Sequence, residues 1–133
     1  MCVYPSVAVT NKIKNGPNSF IAYKVIKVMR DKIGHRNVIC SVCFSHKWTI
    51  GENKSGHNEA DIKLDRNLGI HIFLNKDKAK SWILYDIEHI MPVRVYKKDL
   101  IVGGSDEDAV FTKVYVTKQS YQKVLNLKRK KKC

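Results

Sequence analysis

The sequence is poor in acidic residues, in proline and glycine, and in long hydrophobic runs. Its 133 residues include 12 acidic but 25 basic side chains, with 3 prolines and 7 glycines. This composition excludes a collagen-like or low-complexity chain, and a hydrophobic fraction of 44% is too high for a disordered one. No apolar run reaches the roughly 20 residues that span a bilayer, and the first residues lack the basic and apolar regions of a signal peptide. We therefore predict a globular protein that has no membrane span and is not secreted.

Cysteine is also scarce, and its spacing argues against a metal centre. Cys40 and Cys43 have the C-x-x-C spacing of half a zinc site, but no second pair follows. Because they lie three apart on a predicted strand, their side chains point to opposite faces; a bulge with His46 as an added ligand is the alternative. We predict no metal site. The free thiols expected at Cys2 and Cys133 indicate a reducing intracellular compartment.

The positive charge is concentrated at the C-terminus but is not confined to it. The formal net charge is +13, and removing the five basic residues of the C-terminal tail leaves +8 on the rest of the chain. These five residues are Lys128, Arg129, Lys130, Lys131 and Lys132. Such an excess predicts an anionic partner (nucleic acid, an acidic protein surface or anionic lipid) that binds in a salt-dependent way. The alternative is a solvated surface with a frayed tail.

The hydrophobic pattern predicts strands first, then a helix, then more strands. Runs of β-branched and aromatic residues mark the strands. The predicted strands are 20–28, 37–44, 48–50, 69–74, 91–96, 99–102 and 109–116. Residues 1–19 are predicted to be an irregular lead-in because of Pro5 and the turn-forming run at 15–18, and residues 51–67 to be a polar loop.

Two helices are predicted in the second half of the chain. Asn75 is a good N-cap for a helix over 76–87. The residues of this helix that are expected to face the sheet are Ala79, Trp82, Ile83 and Ile87. Thr117 is the predicted N-cap of a short last helix, whose apolar side consists of Tyr121, Val124 and Leu125. The predicted fold class is α+β, a twisted and mostly antiparallel sheet with one central helix packed on it and a short C-terminal helix. One domain is expected over 1–127, followed by a basic tail over 128–133.

His71, Lys47 and Trp48 are the candidate binding residues that the pattern itself indicates. If Ile70 and Ile72 face the core, His71 faces the other side of its strand. There it is either a hydrogen-bonding or acid–base group in a cleft or a histidine satisfied by its neighbours. Trp48, beside Lys47, is expected either to stack on a base or partner or to pack in the core. The sequence holds no nucleophile–base pair, phosphate-binding loop or dinucleotide fingerprint.

The segment at 69–79, GIHIFLNKDKA, resembles uncharacterised proteins of phages, gut bacteria and large DNA viruses. Related domains lie beside pentapeptide repeats in giant viruses. The resemblance covers residues 1–5 and 20–116. It also rests on the following short motifs: Met1-Cys2, Tyr23-Lys24-Val25, Val93-Arg94-Val95 and Lys113-Val114-Tyr115-Val116. It implies a viral or mobile-element setting, in a virion or in the host cytoplasm or nucleus, and implies no particular reaction.

A second similarity is to the ADP-ribosyltransferase fold, in the order of a tyrosine-containing strand, a Gly-Ile-aromatic strand, a helix and a valine-rich strand. This similarity places Lys24 where those enzymes carry a histidine or arginine that holds NAD. It places His71 where they carry a tyrosine that stacks on nicotinamide. Asp108 is the nearest acidic candidate for the catalytic glutamate. Because the residue types differ from the family's, we predict no cofactor.

The first functional hypothesis is a non-enzymatic binding or structural protein encoded by a virus or phage. It would be a minor virion component or an accessory factor, and its partner would be a capsid or host protein. The first alternative is a nucleic-acid-binding protein that uses the basic body and tail. The second is a degenerate ADP-ribosyltransferase-like or nucleotide-binding protein.

Overall fold

The chain folds around one sheet whose longest strand lies near its centre. The structure, a computed structural model, describes residues 3–30, 37–41, 47–85 and 87–130, with the backbone alone at 30 and 127–130. The strands are β1 (Ser19–Arg30), β2 (Asn37–Ser41), β3 (Gly51–Lys54), β4 (Ile70–Phe73), β5 (Glu88–Tyr96), β6 (Leu100–Gly104), β7 (Asp108–Phe111) and β8 (Lys113–Val116). The helices are α1 (Val7–Lys14), α2 (Glu59–Leu64), α3 (Lys76–Lys80) and α4 (Lys118–Lys130), with 3-10 turns at Arg66–Leu68 and Lys97–Asp99.

The strand pairings in the described part of the chain are antiparallel. The order across the sheet is β3-β8-β5-β1-β4-β7-β6, and β2 pairs with the second half of β1. The longest pairing joins β1 to β5, from Ser19 opposite Tyr96 to Lys27 opposite Glu88. The predicted α+β class and mostly antiparallel sheet are therefore confirmed.

Both faces of β1 contribute to a core, and alternate residues of the strand point to opposite sides. Ala22 and Ile26 of β1 lie in the main core, to which α1 and α4 contribute apolar side chains. Val25 lies on the other face, in a second cluster with Phe73 and with Ala79 of α3. The main core and the second cluster thus lie on opposite faces of β1.

A helix, α1, replaces much of the predicted irregular lead-in. The side chain of Ser6 caps it by accepting a hydrogen bond from the backbone N–H of Val9. Thr10 Oγ1 accepts a hydrogen bond from the N–H of Gly103 in β6, at 2.9 Å. Because Ile13 is buried in the main core, packing stabilises a helix that the local composition does not predict.

The predicted polar loop at 51–67 is likewise partly regular. It contains β3, which pairs with β8, and α2, which Asn58 caps through the N–H of Asp61. Ile62 is fully buried and anchors α2 on Val110 of the sheet. The prediction of a loop is corrected, because backbone pairing with β8 makes 51–54 a strand of the sheet and the buried side chain of Ile62 holds α2 on it.

The helix predicted over 76–87 ends early, at Lys80. Trp82 and Ile83 donate to the carbonyls of Ala79 and Lys80, three residues back, so the chain tightens and leaves the helix. Ala79 is buried as predicted, but Trp82 is 36% exposed and Ile87 is 41% exposed. Trp82 still faces the sheet, since its ring packs on Phe73 of β4 with centroids 6.0 Å apart. The predicted sheet-facing role is wrong for Ile87, because the α-helical period does not continue to it.

The last helix, α4, is longer than predicted. Thr117 caps it, since its Oγ1 accepts a hydrogen bond from the N–H of Ser120 at 3.1 Å. The predicted apolar side is confirmed, since Tyr121, Val124 and Leu125 pack on the main core. The helix continues to Lys130 and so includes the first three residues of the predicted tail. In the described part of the chain, no helix has the length and apolarity that crossing a membrane requires.

Candidate functional site

His71 lies on β4, where the predicted alternation is confirmed. Ile70 and Ile72 belong to the main core, and Phe73, on the side of His71, belongs to the second cluster. His71 is opposite Val110 in the register, and Phe73 is opposite Asp108. The side chains of His71 and Asp108 therefore meet diagonally across two neighbouring strands on one face.

His71 and Asp108 form a buried hydrogen-bonded pair. The distance from Nε2 of His71 to Oδ2 of Asp108 is 2.7 Å, with only 11% and 3% of the two side chains exposed. Nδ1 of His71 and Oδ1 of Asp108 are also buried, and neither has a hydrogen-bond partner among the described residues. The pair is thus hydrogen-bonded between its facing atoms, Nε2 and Oδ2, while the outer atoms, Nδ1 and Oδ1, have no hydrogen-bond partner among the described residues.

Burial lowers the pKa of His71 below its ordinary value of 6.5, because a charged imidazolium is disfavoured away from water. The hydrogen bond to Asp108 acts in the opposite direction, and the positive charge of Lys24 lowers the pKa further. The imidazole is therefore neutral at physiological pH, and its Nε2–H donates to the Asp108 carboxylate. This arrangement leaves Nδ1 as the basic atom of the ring.

Two aromatic side chains enclose the ring of His71. Its centroid lies 4.7 Å from that of Phe73 and 6.5 Å from that of Trp82, both in edge-on geometry. An aspartate-oriented histidine has the chemistry of a general base, but here its basic Nδ1 is buried. In this structure the pair is a polar link between β4 and β7 beneath Trp82.

The structure groups the three residues that the similarity to ADP-ribosyltransferases indicated. His71 contacts Asp108, and Lys24 lies close enough for its charge to act on the His71 imidazole. All three belong to the buried or nearly buried residues, however, and Lys24 is only 9% exposed. Their grouping fits a role inside the fold better than direct contact with a large ligand such as a dinucleotide.

An open groove of about 690 Å³ lies beyond Trp82, between α3, the segment 83–85, the first half of β5 and the first half of α4. We call it the lysine groove. Among its lining residues are Lys76, Lys80, Leu84, Tyr85, Glu88 and Lys123. The three lysines come from two helices that lie far apart in the sequence and converge on one cavity.

Glu88 organises the wall of the lysine groove. Its Oε1 accepts hydrogen bonds from the backbone N–H groups of Leu84, at 2.7 Å, and Tyr85, at 3.0 Å. Its own N–H donates to the carbonyl of Tyr85 at 3.0 Å. Among the described residues that line the groove, Glu88 is the acidic one, and it is buried. Its carboxylate therefore holds the segment 83–85 in place and faces the backbone rather than a ligand.

The structure places Trp48 and Lys47 away from His71. Trp48 is 2% exposed and lies in the main core, where its Nε1–H donates to Ser41 Oγ at 2.8 Å. Its ring is thus not at the surface, as stacking on a base requires. Lys47 is exposed, and its backbone bridges to Cys40.

The remaining predicted sites fall partly outside the described residues. Lys128, Arg129 and Lys130 lie in α4 with only their backbone described, whereas Lys131 and Lys132 lie outside the described residues. Cys40 is a buried free thiol. The predicted free thiols at Cys2 and Cys133, and the Cys43 and His46 of the alternative metal site, lie outside the described part of the chain. The described residues contain no cluster of three or more His, Cys, Asp and Glu side chains that would hold a metal ion.

Sequence reasoning missed the lysine groove. The lysines at 76 and 80 are spaced by four, which puts them on one side of a helix. This spacing is visible in the sequence and could have indicated a basic helix face. Lys123 carries no such signal, because only the packing of α4 beside β5 brings it to the groove.

No protein-family model, curated protein or solved structure matches this chain. The resemblances to viral and phage proteins and to ADP-ribosyltransferases therefore stay predictions.

Proposed function

We propose that this protein binds nucleic acid through the lysine groove. The observation that carries the proposal is the convergence of Lys76, Lys80 and Lys123 on one open cavity. These three side chains are exposed, and none of them forms an ion pair with another described residue. A phosphate backbone carries the negative charge that neutralises these lysines, and its binding releases counterions.

Two further features support an anionic ligand. Gln119 and Ser120, in the first turn of α4, also line the lysine groove, so the positive end of this helix dipole adds to the lysines. The chain carries a net charge of +13, which steers polyanions towards it over long distances. The last residues of α4, Lys128, Arg129 and Lys130, add further positive charge to the same helix.

The viral setting and the capsid or host protein partner remain proposals that come from the resemblance. An acidic protein surface is the rival ligand for the lysine groove, since it offers the same charge. Nucleic acid is favoured because Tyr85 gives the groove an aromatic wall, and bases stack on aromatic side chains.

The decisive experiment is a salt titration of oligonucleotide binding, read by fluorescence anisotropy. The variant Lys76→Gln/Lys80→Gln/Lys123→Gln removes three positive charges from the groove. The slope of log K against log salt is negative, and each lost phosphate contact makes it less steep by about 0.7 for a single strand, so we expect the slope of the variant to be less steep by about 2. Binding at moderate salt should weaken accordingly.

The matched control removes three exposed lysines that do not line the groove, as Lys12→Gln/Lys14→Gln/Lys78→Gln. Lys78 lies on the same helix as Lys76 and Lys80, which makes it a close comparison. A chain ending at residue 127 measures the contribution of the tail. The proposal fails if the groove variant binds like the control variant, or if the tail deletion alone abolishes binding.

A further inference from the structure

Tyr85 and Leu84 are exposed apolar side chains at the wall of the lysine groove. Tyr85 is 67% exposed and Leu84 is 76% exposed, although both are large and apolar. They follow Ile83, which is partly buried in the second cluster. Beside three lysines, this adjacent pair gives the wall of the groove an apolar surface that a ligand can contact.

The backbone that carries Tyr85 is fixed before any ligand arrives. The N–H and the carbonyl of Tyr85 are both hydrogen-bonded to Glu88, and the N–H of Leu84 shares the same carboxylate oxygen. Glu88 is buried at the start of β5, the strand that pairs with β1. A platform held in this way loses little conformational entropy when a ligand packs on it.

The combination of lysines with an exposed aromatic ring discriminates between nucleic-acid forms. Single strands offer both phosphates and unstacked bases, and proteins that bind them use cationic grooves with aromatic side chains. A duplex offers its phosphates but keeps the faces of its bases within the stack. An acidic peptide offers charge without a row of planar rings.

We infer that the lysine groove takes single-stranded nucleic acid, with a base stacked on Tyr85 and the phosphates beside Lys76, Lys80 and Lys123. This inference rests on the proposed function and adds the form of the ligand and the residue that recognises it. The side chain of Tyr85 supplies the ring face, and Leu84 extends the apolar surface next to it.

The test measures the binding of the full chain to a short oligodeoxythymidine, to a duplex, and to an abasic strand of the same length. Tyr85→Ala should lower the affinity for oligodeoxythymidine by about 5- to 150-fold, the range for loss of one stacked base. Tyr85→Phe should bind like the wild type, because the ring face is kept. Binding of the abasic strand should not change in Tyr85→Ala.

Tyr4→Ala is the matched control, because Tyr4 is also highly exposed but lies beside the edge strand β6, whereas α4 packs on β5 and β1. If Tyr85→Ala binds oligodeoxythymidine like the wild type while the groove lysine variant binds weakly, the inference is overturned and the proposed function stands. The inference also fails if the duplex binds as tightly as the single strand, or if polyglutamate of equal charge competes as well as oligodeoxythymidine. Absence of all nucleic-acid binding overturns both.

Discussion

The His71–Asp108 pair and the lysine groove use polar residues in opposite ways. In the pair, a histidine and a carboxylate face each other at 2.7 Å and are almost wholly buried. In the groove, three charges of one sign stand exposed around an open cavity. Breaking a buried pair is costly because the remaining partner is left unsatisfied away from water, whereas like charges at the surface are left for a ligand to neutralise.

One short segment separates these two regions. Trp82 packs on Phe73, with ring centroids 6.0 Å apart, and lies edge-on to His71. The next residues, 83–85, line the lysine groove. The chain therefore passes from the cover of the buried pair to the wall of the groove within a few residues, which makes the two regions separable by point substitution.

The largest expected effect in this comparison is on the buried pair. Asp108→Ala removes the acceptor and leaves the Nε2–H of His71 buried without its partner. We expect the free energy of unfolding to fall by about 2–3 kcal/mol, because an unsatisfied buried donor is costly. Urea denaturation followed by circular dichroism measures this change.

Asp106→Ala is the control for this prediction, because Asp106 is an exposed acidic residue in the same hairpin. It should change stability by no more than about 0.5 kcal/mol. Equal effects of the two substitutions would show that the contact between His71 and Asp108 contributes nothing to the fold.

A smaller effect is expected from pH, through His71. Because burial lowers the pKa of His71 in the folded chain, the unfolded chain binds a proton more readily. The contribution of neutral His71 is therefore fully present above its ordinary pKa of 6.5 and is lost as the pH falls through the lower folded-state pKa. Thermal unfolding between about pH 8 and about pH 5 should show a fall in Tm on acidification.

His71→Asn should flatten this part of the pH profile, because the titrating group is gone. His57→Asn should not, since His57 is exposed in the folded chain as in the unfolded one. If the wild type and His71→Asn lose stability in parallel below about pH 6.5, another group governs the acid response.

The sequence was informative where local pattern decides the outcome. Alternation correctly put His71 on the face opposite Ile70 and Ile72, and the caps predicted at Asn75 and Thr117 are both present. These features depend on neighbours a few residues away, which the sequence displays directly.

The sequence was uninformative where distant segments meet. Asp108 lies 37 residues from His71, and only the register of β4 against β7 brings the two together. The burial of the two tryptophans depends on distant segments too: the main core covers Trp48, for which the sequence left two alternatives open, whereas Trp82 follows a helix that ends early and stays partly exposed. Helix length and strand register are set by packing, which no local window contains.

The smallest expected effect on stability belongs to the groove, and it sharpens the comparison most. Lys76→Gln/Lys80→Gln/Lys123→Gln should leave the free energy of unfolding within about 0.5 kcal/mol of the wild type, because exposed lysines without ion partners contribute little to a fold. Relief of mutual repulsion among them would make the variant slightly more stable. Urea denaturation at low salt, where repulsion is strongest, measures this. A clear loss of stability would mean that these lysines hold the fold together, and the weaker oligonucleotide binding of the same variant would then no longer indicate a ligand contact.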